Sequence, residues 1–187
     1  RLCSAMSAKY DVFSEMLIDN DYLDMILGGN NKHQEVMKSL ANIAACKDVK
    51  ITSAVANTKF IEFIITGIDE YSCVGKECAL IALKNIFLTS QIPINEVPQI
   101  DVVGRIAVDC LTSSHAGVRK AAIILLAKIL SHAEMLGNSG KRNRIAVELV
   151  ESGNFEHLIM LGDLDSLPAQ RMAIEEACCA AKLFDME

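Results

Sequence analysis

Apolar residues recur every three or four positions in short stretches of this chain, and glycine, proline or short polar segments separate the stretches. This spacing lines the apolar side chains along one side of an α-helix, so each stretch predicts an amphipathic helix. Three of the stretches share one signature: SLANIA begins at Ser39, ALKNIF at Ala82 and LLAKIL at Leu125. The pattern therefore predicts a chain built from repeated helical units.

The spacing of these three segments is even, since Asn42, Asn85 and Lys128 are each separated by 43 residues. A period of this length is typical of the stacked helical units of armadillo and HEAT proteins. We therefore predict an all-α, right-handed superhelical solenoid of about four repeats. The repeats are expected at residues 1–48, 49–91, 92–135 and 144–187 of one domain that covers residues 1–187.

Residues that interrupt or cap helices set the expected helix ends. Glycine and proline interrupt helices, while Asn, Asp and Ser favour turns and caps. The turns are expected at Asp19–Asp21, Thr112–Ser114 and Ser152–Gly153, with an inserted polar loop over Ala133–Arg144. The principal helices are expected at Val12–Ile18, Tyr22–Leu27, Gln34–Ala45, Ile51–Val55, Phe60–Ile65, Gly75–Thr89, Val102–Leu111, Gly117–Ser131, Phe155–Leu161 and Pro168–Phe184.

Composition and charge narrow the classes of function. The chain is 51% hydrophobic but only 5% aromatic, and its net charge is −6, whereas nucleic-acid-binding surfaces carry a basic excess. The longest apolar run, Ala121–Ala127, is far shorter than the roughly 20 residues that cross a bilayer. We expect a cytoplasmic protein with no nucleic-acid or membrane partner. Because the chain begins at Arg1, we also expect a C-terminal fragment of a longer protein.

The seven cysteines include no CxxC pair, and their number is odd. Structural zinc sites need thiolates or imidazoles that converge on one ion, and this spacing offers no such cluster. Free cysteine commonly packs as a small apolar residue. We therefore predict buried structural thiols in a reducing compartment and no metal site.

Catalytic signatures are missing from the sequence. It has no HExxH, GxSxG, GxxxxGK[ST] or GxGxxG segment, so the minimal geometry for zinc hydrolysis, serine hydrolysis or phosphate binding is lacking. The four histidines are scattered over three of the repeats, and none is accompanied by a nucleophile and an orienting carboxylate. We expect a non-enzyme with no catalytic residue and no cofactor.

The long third helix of each repeat is the expected binding surface, because residues one turn apart share a helix face. The candidate partner-binding groove is Lys38, Asn42, Ile81, Asn85, Ile124 and Lys128. SLANIA and ALKNIF resemble the armadillo motif in which this Asn hydrogen-bonds the main chain of an extended partner. The alternative is that both Asn side chains bridge neighbouring repeats. Importin-type adaptors carry Trp where this chain has Lys38 and Ile81, which argues against binding of nuclear signals in that way.

A more specific resemblance joins the helices with their connections. The order LANIAACKDV from Leu40, IFLTS from Ile86, VPQI from Val97, CLTSSHAGVRKAA from Cys110 and EEACCAAKL from Glu175 resembles the C-terminal part of the UCS domain of myosin chaperones. The resemblance covers nearly the whole chain, but none of these segments is diagnostic alone.

This resemblance implies a client-binding module that assists folding or assembly of the myosin motor domain. It also implies that Hsp90 or Hsp70 is recruited through parts of the protein outside this chain. Lys38 and Lys128 are expected to meet acidic groups of the client, or else to form a solvated helix face. A transport adaptor, a proteasome assembly factor and an Hsp70 co-chaperone share the architecture and remain alternatives.

Overall fold

The structure is a computed structural model that describes residues 34–45, 58–89 and 99–135 together with Gly153. Every regular element within these residues is helical, which confirms the all-α prediction for this part of the chain. In chain order the elements are α1 (Gln34–Ala44), α2 (Thr58–Gly67), a 3-10 turn (Ile68–Glu70), α3 (Cys73–Thr89), α4 (Ile100–Cys110) and α5 (Ala116–Met135).

The chain divides into two compact units, Arg1–Pro93 and Ile94–Glu187. The first unit contains α1, α2 and α3, and the second contains α4 and α5. The division falls close to the expected boundary between the second and third repeats. The remaining predicted helices lie outside the described residues, and the prediction of one domain remains a prediction.

In the first unit, α1 packs chiefly against α3. The apolar spacing of α1 explains its orientation, because Met37, Leu40 and Ile43 share one face and all three are fully buried. α2 buries Phe60, Ile61 and Ile64 in the same way and lies beside α3. Transfer of each such side chain out of water stabilises the fold by about 1.5–3 kcal/mol.

The long helix α3 is more deeply buried than an amphipathic surface helix, because it is apolar around most of its circumference. Among the residues of α3 whose burial is described, the buried ones are Gly75, Ala79, Leu80, Ala82, Leu83, Asn85, Ile86 and Phe87. A half-exposed stripe along α3 remains at Val74, Cys78 and Ile81. The surface that this helix offers to a partner is therefore narrower than the sequence predicts.

A tight corner joins α2 to α3. The Tyr71 hydroxyl donates a hydrogen bond to the Phe63 carbonyl oxygen, with 3.3 Å between the oxygens. This bond folds the Tyr71 ring back over Gly67, the last residue of α2, and leaves Tyr71 buried. The side chain thereby fixes the direction in which α3 leaves the turn.

The ionisation of Tyr71 predicts a loss of stability at alkaline pH. Burial, assisted by the neighbouring Glu70 carboxylate, raises the pKa of Tyr71 from 10.0 to about 12. The folded chain thus holds this proton more tightly than the unfolded chain, so the stabilisation is complete below pH 10.0 and is lost as pH rises through about 12. Urea unfolding across this range should show a shallower alkaline decline for Tyr71→Phe than for the wild type. An identical decline in both proteins would contradict the assignment.

In the second unit, α4 packs against α5. The turn at Thr112–Ser114 connects the two helices, as the sequence predicts. The Arg119 guanidinium fastens this turn by donating from Nη1 to the Ser113 and Ser114 carbonyl oxygens, at 2.9 and 3.0 Å. Because the first turn of α5 is thereby tied to the preceding loop, α5 begins at Ala116.

One helix end and one turn test the predicted boundaries further. The expected loop at Ala133–Arg144 begins too early, because α5 continues without a break to Met135. No glycine or proline stands between Ser131 and Met135, so nothing in the sequence stops the helix there. Gly153 has a φ of 72°, which confirms the predicted left-handed turn.

Candidate protein-binding face

The deciding contact of the candidate site joins two helices that are far apart in sequence. Asn85 Nδ2 on α3 donates a hydrogen bond to the Ala41 carbonyl oxygen on α1, at 3.0 Å. Asn85 lies late in α3 and Ala41 lies late in α1. The bond joins the late turns of the two packed helices, and the charges of Lys38 and Glu35, early in α1, reach Cys78, early in α3. The two helices therefore run side by side in the same direction.

The bond forms where α1 ends and its last carbonyl groups lose their intrahelical donors. The Ala45 amide donates to the Asn42 carbonyl at 3.2 Å, so the last turn tightens. The Asn85 amide supplies a donor for the carbonyl one residue earlier. Because Asn85 is 9% exposed, this bond is shielded from water and holds the two helices in register.

Five half-exposed residues lie on the two helices that this contact joins, and we call them the α1–α3 face. Lys38 and Glu35 form an ion pair at 3.3 Å, with both side chains 37% exposed. The apolar members, Cys78 and Ile81, are on α3. The α1–α3 face consists of Glu35, Lys38, Asn42, Cys78 and Ile81.

The predicted groove residues are divided between the two compact units. Lys38, Asn42 and Ile81 are half-exposed in the first unit, whereas Asn85 is buried. Ile124 and Lys128 are half-exposed, one turn apart on α5 of the second unit. Of the two roles that the sequence left open for Asn85, the bond to Ala41 matches the bridge between helices.

Glu35 and Cys78 belong to the face but were absent from the predicted groove. They are 43 residues apart, and each stands one turn before a predicted member, Lys38 and Ile81 respectively. Extending the repeat by one helical turn towards the amino terminus would have found both. The 43-residue spacing therefore contained the information needed to predict both residues.

The prediction of buried thiols is wrong for the three cysteines that the structure describes. Cys73 is exposed, while Cys78 and Cys110 are half-exposed. The apolar character of cysteine does not reveal how much of each thiol stays exposed. Cys3, Cys46, Cys178 and Cys179 lie outside the described residues.

Thiol modification should distinguish Cys73 from Cys78. Partial burial, followed by the Glu77 carboxylate, raises the pKa of the Cys78 thiol, and Lys38 only partly opposes this. Because the thiolate is the nucleophile, Cys78 should react with iodoacetamide several-fold more slowly than the exposed Cys73. Timed labelling at neutral pH with peptide mapping measures both sites in one sample. Equal rates would contradict this description of the two thiols.

The described residues show no other chemical centre. Within residues 34–45, 58–89 and 99–135, no three His, Cys, Asp or Glu side chains are grouped to bind a metal ion. None of the helices described for the chain has the length and apolar character needed to span a membrane. The α1–α3 face is therefore the surface that we consider further.

Comparison with known proteins identifies the fold alone. No protein-family model matches the chain, and no curated protein matches it. Two solved structures do match, both crystal structures of engineered proteins from the Northeast Structural Genomics Consortium.

The first of these aligns with a TM-score of 0.64 over 97% of this chain and 88% of its own, at 17% identity. The second aligns with a TM-score of 0.62 over 96% of this chain and 52% of its own, also at 17% identity. At this identity the match describes the path of the backbone and carries no statement about function.

Proposed function

We propose that this chain is a non-catalytic protein-binding domain with an armadillo-like solenoid of about four repeats, and that the α1–α3 face contacts the partner. The observation that supports this proposal is the way in which α1 and α3 pack. They lie in parallel, the buried Asn85–Ala41 bond fixes their register, and Ile81 is left half-exposed on α3, one turn before Asn85. A fixed apolar contact beside hydrogen-bonding groups suits the capture of an extended segment.

The members of the face have different roles in this proposal. Ile81 and Cys78 provide apolar contact for a client side chain, and the half-exposed Asn42 amide binds the client main chain. Asn85 supports the face from beneath through its bond to α1. On α5, Ile124 and Lys128 stand at the corresponding positions of the next repeat and are proposed to bind the client there.

For the client we propose the myosin motor domain, because the order of segments along the chain resembles the UCS domain of myosin chaperones. The domain would bind partly folded motor segments and shift the equilibrium away from aggregation by mass action. Hsp90 or Hsp70 would be recruited elsewhere in the protein, and the site of action would be the cytoplasm. The mechanism needs no cofactor.

Aggregation of a purified myosin motor domain tests this function. Light scattering during mild heating should fall when the chain is added in equimolar amount, and an unrelated helical protein of equal mass is the control. If the motor aggregates equally with and without the chain, the myosin assignment is wrong. In that case a transport adaptor, an assembly factor for another complex and an Hsp70 co-chaperone remain as binding functions.

A further inference from the structure

The register of the two helices brings the ion pair of α1 level with Ile81. The Asn85 amide meets the Ala41 carbonyl at 3.0 Å, and the packed helices run in the same direction. Lys38 lies three residues before Ala41, and Ile81 lies four residues before Asn85. Because a helix rises 1.5 Å per residue, Lys38 and Ile81 differ by only about 1.5 Å in height along the helices.

The charged side chains near Ile81 occur in opposite pairs. Lys38 Nζ lies 3.3 Å from Glu35 Oε1, and both side chains are 37% exposed. On α3, Glu77 and Lys84 stand one turn before and one turn after Ile81 and are opposite in charge. Both also take part in other interactions, so neither acts as an isolated charge. These four groups therefore contribute no net charge to the surface around Ile81.

The other members of the α1–α3 face are uncharged. Asn42 carries an amide, and Ile81 is aliphatic. Cys78 is half-exposed, and its partial burial raises the pKa of the thiol, so it stays protonated at neutral pH. An acidic client group would have to replace Glu35 as the partner of Lys38, and a basic client group would have to replace Lys38 as the partner of Glu35.

We infer that the α1–α3 face receives an uncharged client segment in which an aliphatic side chain packs on Ile81. The inference rests on the proposed protein-binding role of the face and names the chemistry of its occupant. A charged side chain there would lose water without gaining a counter-charge that is not already paired, whereas an aliphatic one removes apolar surface from water. Binding should therefore be nearly independent of salt, unlike binding through ion pairs between the partners.

Capped peptides test this preference without the motor domain. In the series Ser-Gly-X-Thr-X-Gly-Ser, both X residues are Leu, Lys or Glu and project from the same side of an extended peptide. The methyl resonance of Ile81 in the isotope-labelled chain reports binding, and that of the half-exposed Ile106 on α4 is the control. We expect the Leu peptide to bind at least about threefold more tightly than the Lys and Glu peptides. Its affinity should change by less than about twofold when the salt concentration is raised tenfold.

Three variants test whether the ion pair is the cause. In Lys38→Gln the released Glu35 should favour the Lys peptide over the Glu peptide by about threefold at low salt, and Glu35→Gln should give the reverse. The double variant Glu35→Gln/Lys38→Gln keeps the net charge and should bind each peptide as the wild type does. The inference would be overturned if the wild type bound the Lys or Glu peptide as tightly as the Leu peptide. It would also be overturned if no peptide moved the Ile81 resonance.

The results also separate this inference from the proposed function. If the Leu peptide binds as expected and the motor domain does not bind, the myosin assignment fails and the preference for an uncharged segment stands. If the motor domain binds while the peptides leave the Ile81 resonance unchanged, the inference fails and the proposed function stands.

Discussion

Replacement of Asn85 by Leu should lower the free energy of unfolding by about 1–3 kcal/mol, the cost of leaving a buried hydrogen-bonding group without its partner. Asn85 Nδ2 donates to the Ala41 carbonyl at 3.0 Å, and burial keeps water from replacing the donor. Leucine has the same number and branching of side-chain heavy atoms as asparagine, so no cavity contributes to the loss. Urea unfolding followed by circular dichroism measures the change.

Two further variants show whether the hydrogen bond is the cause. Asn42→Ala alters the equivalent position of the preceding repeat, where the side chain is half-exposed, so its effect should be smaller. Asn85→Asp keeps the shape but places a carboxylate against a carbonyl oxygen. It should be strongly destabilising at neutral pH and should partly recover at acidic pH, where the protonated acid donates. If Asn85→Leu and Asn42→Ala cost the same, the bond to Ala41 does not hold the register.

Gly67→Ala should also destabilise the chain by about 1–3 kcal/mol, the usual cost of overpacking. In most exposed helical positions this substitution stabilises by up to about 1 kcal/mol, so the expected sign is reversed. A Cβ atom at Gly67 would overlap the hydroxyl and ring of Tyr71, which is 5% exposed and bonded to the Phe63 carbonyl. The ring has to move, and its hydrogen bond is lost with it.

A double-mutant cycle identifies Tyr71 as the obstacle. In a Tyr71→Ala background the space beside Gly67 is open, so Gly67→Ala should cost little or stabilise the chain. Thr66→Ala, at the exposed neighbouring position, removes a hydroxyl that donates to the Glu62 and Phe63 carbonyl oxygens but adds no atom near the Tyr71 ring, so it should change stability only slightly. An equal cost of Gly67→Ala with and without the Tyr71 ring would contradict the steric explanation.

The helices could be predicted because their apolar spacing is local information. α1 ends within one residue of its predicted end, and α3 ends at the predicted residue, since each apolar face is fixed by spacings of three and four. The 43-residue recurrence also placed Asn42 and Asn85 at equivalent positions. The recurrence does not predict how deeply a side chain is buried, because burial depends on the neighbouring helices. For that reason Asn85 is buried while Asn42 is half-exposed.

The apolar periodicity could not predict contacts between residues that are far apart in sequence. The bond from Asn85 to Ala41 spans 44 residues, and the sequence offered a bridge between repeats and a bond to a partner as equal alternatives. The close approach of Tyr71 to Gly67 depends on a ring folded over a helix end, which hydrophobic periodicity does not encode. The exposure of the thiols was predicted wrongly because cysteine occurs at both buried and exposed positions.

The central claim is that the α1–α3 face binds a protein client, and Ile81 is its most informative residue. We would measure equilibrium binding of a purified myosin motor domain to the wild type and to Ile81→Asp by calorimetry. Val102→Asp, which alters an exposed aliphatic residue on α4, is the matched control. Both variants would first be shown by circular dichroism to retain the wild-type helical content. We predict that Ile81→Asp weakens binding at least tenfold, about 1.4 kcal/mol, while Val102→Asp binds as the wild type does. Equal binding by all three proteins would show that the client does not use this face.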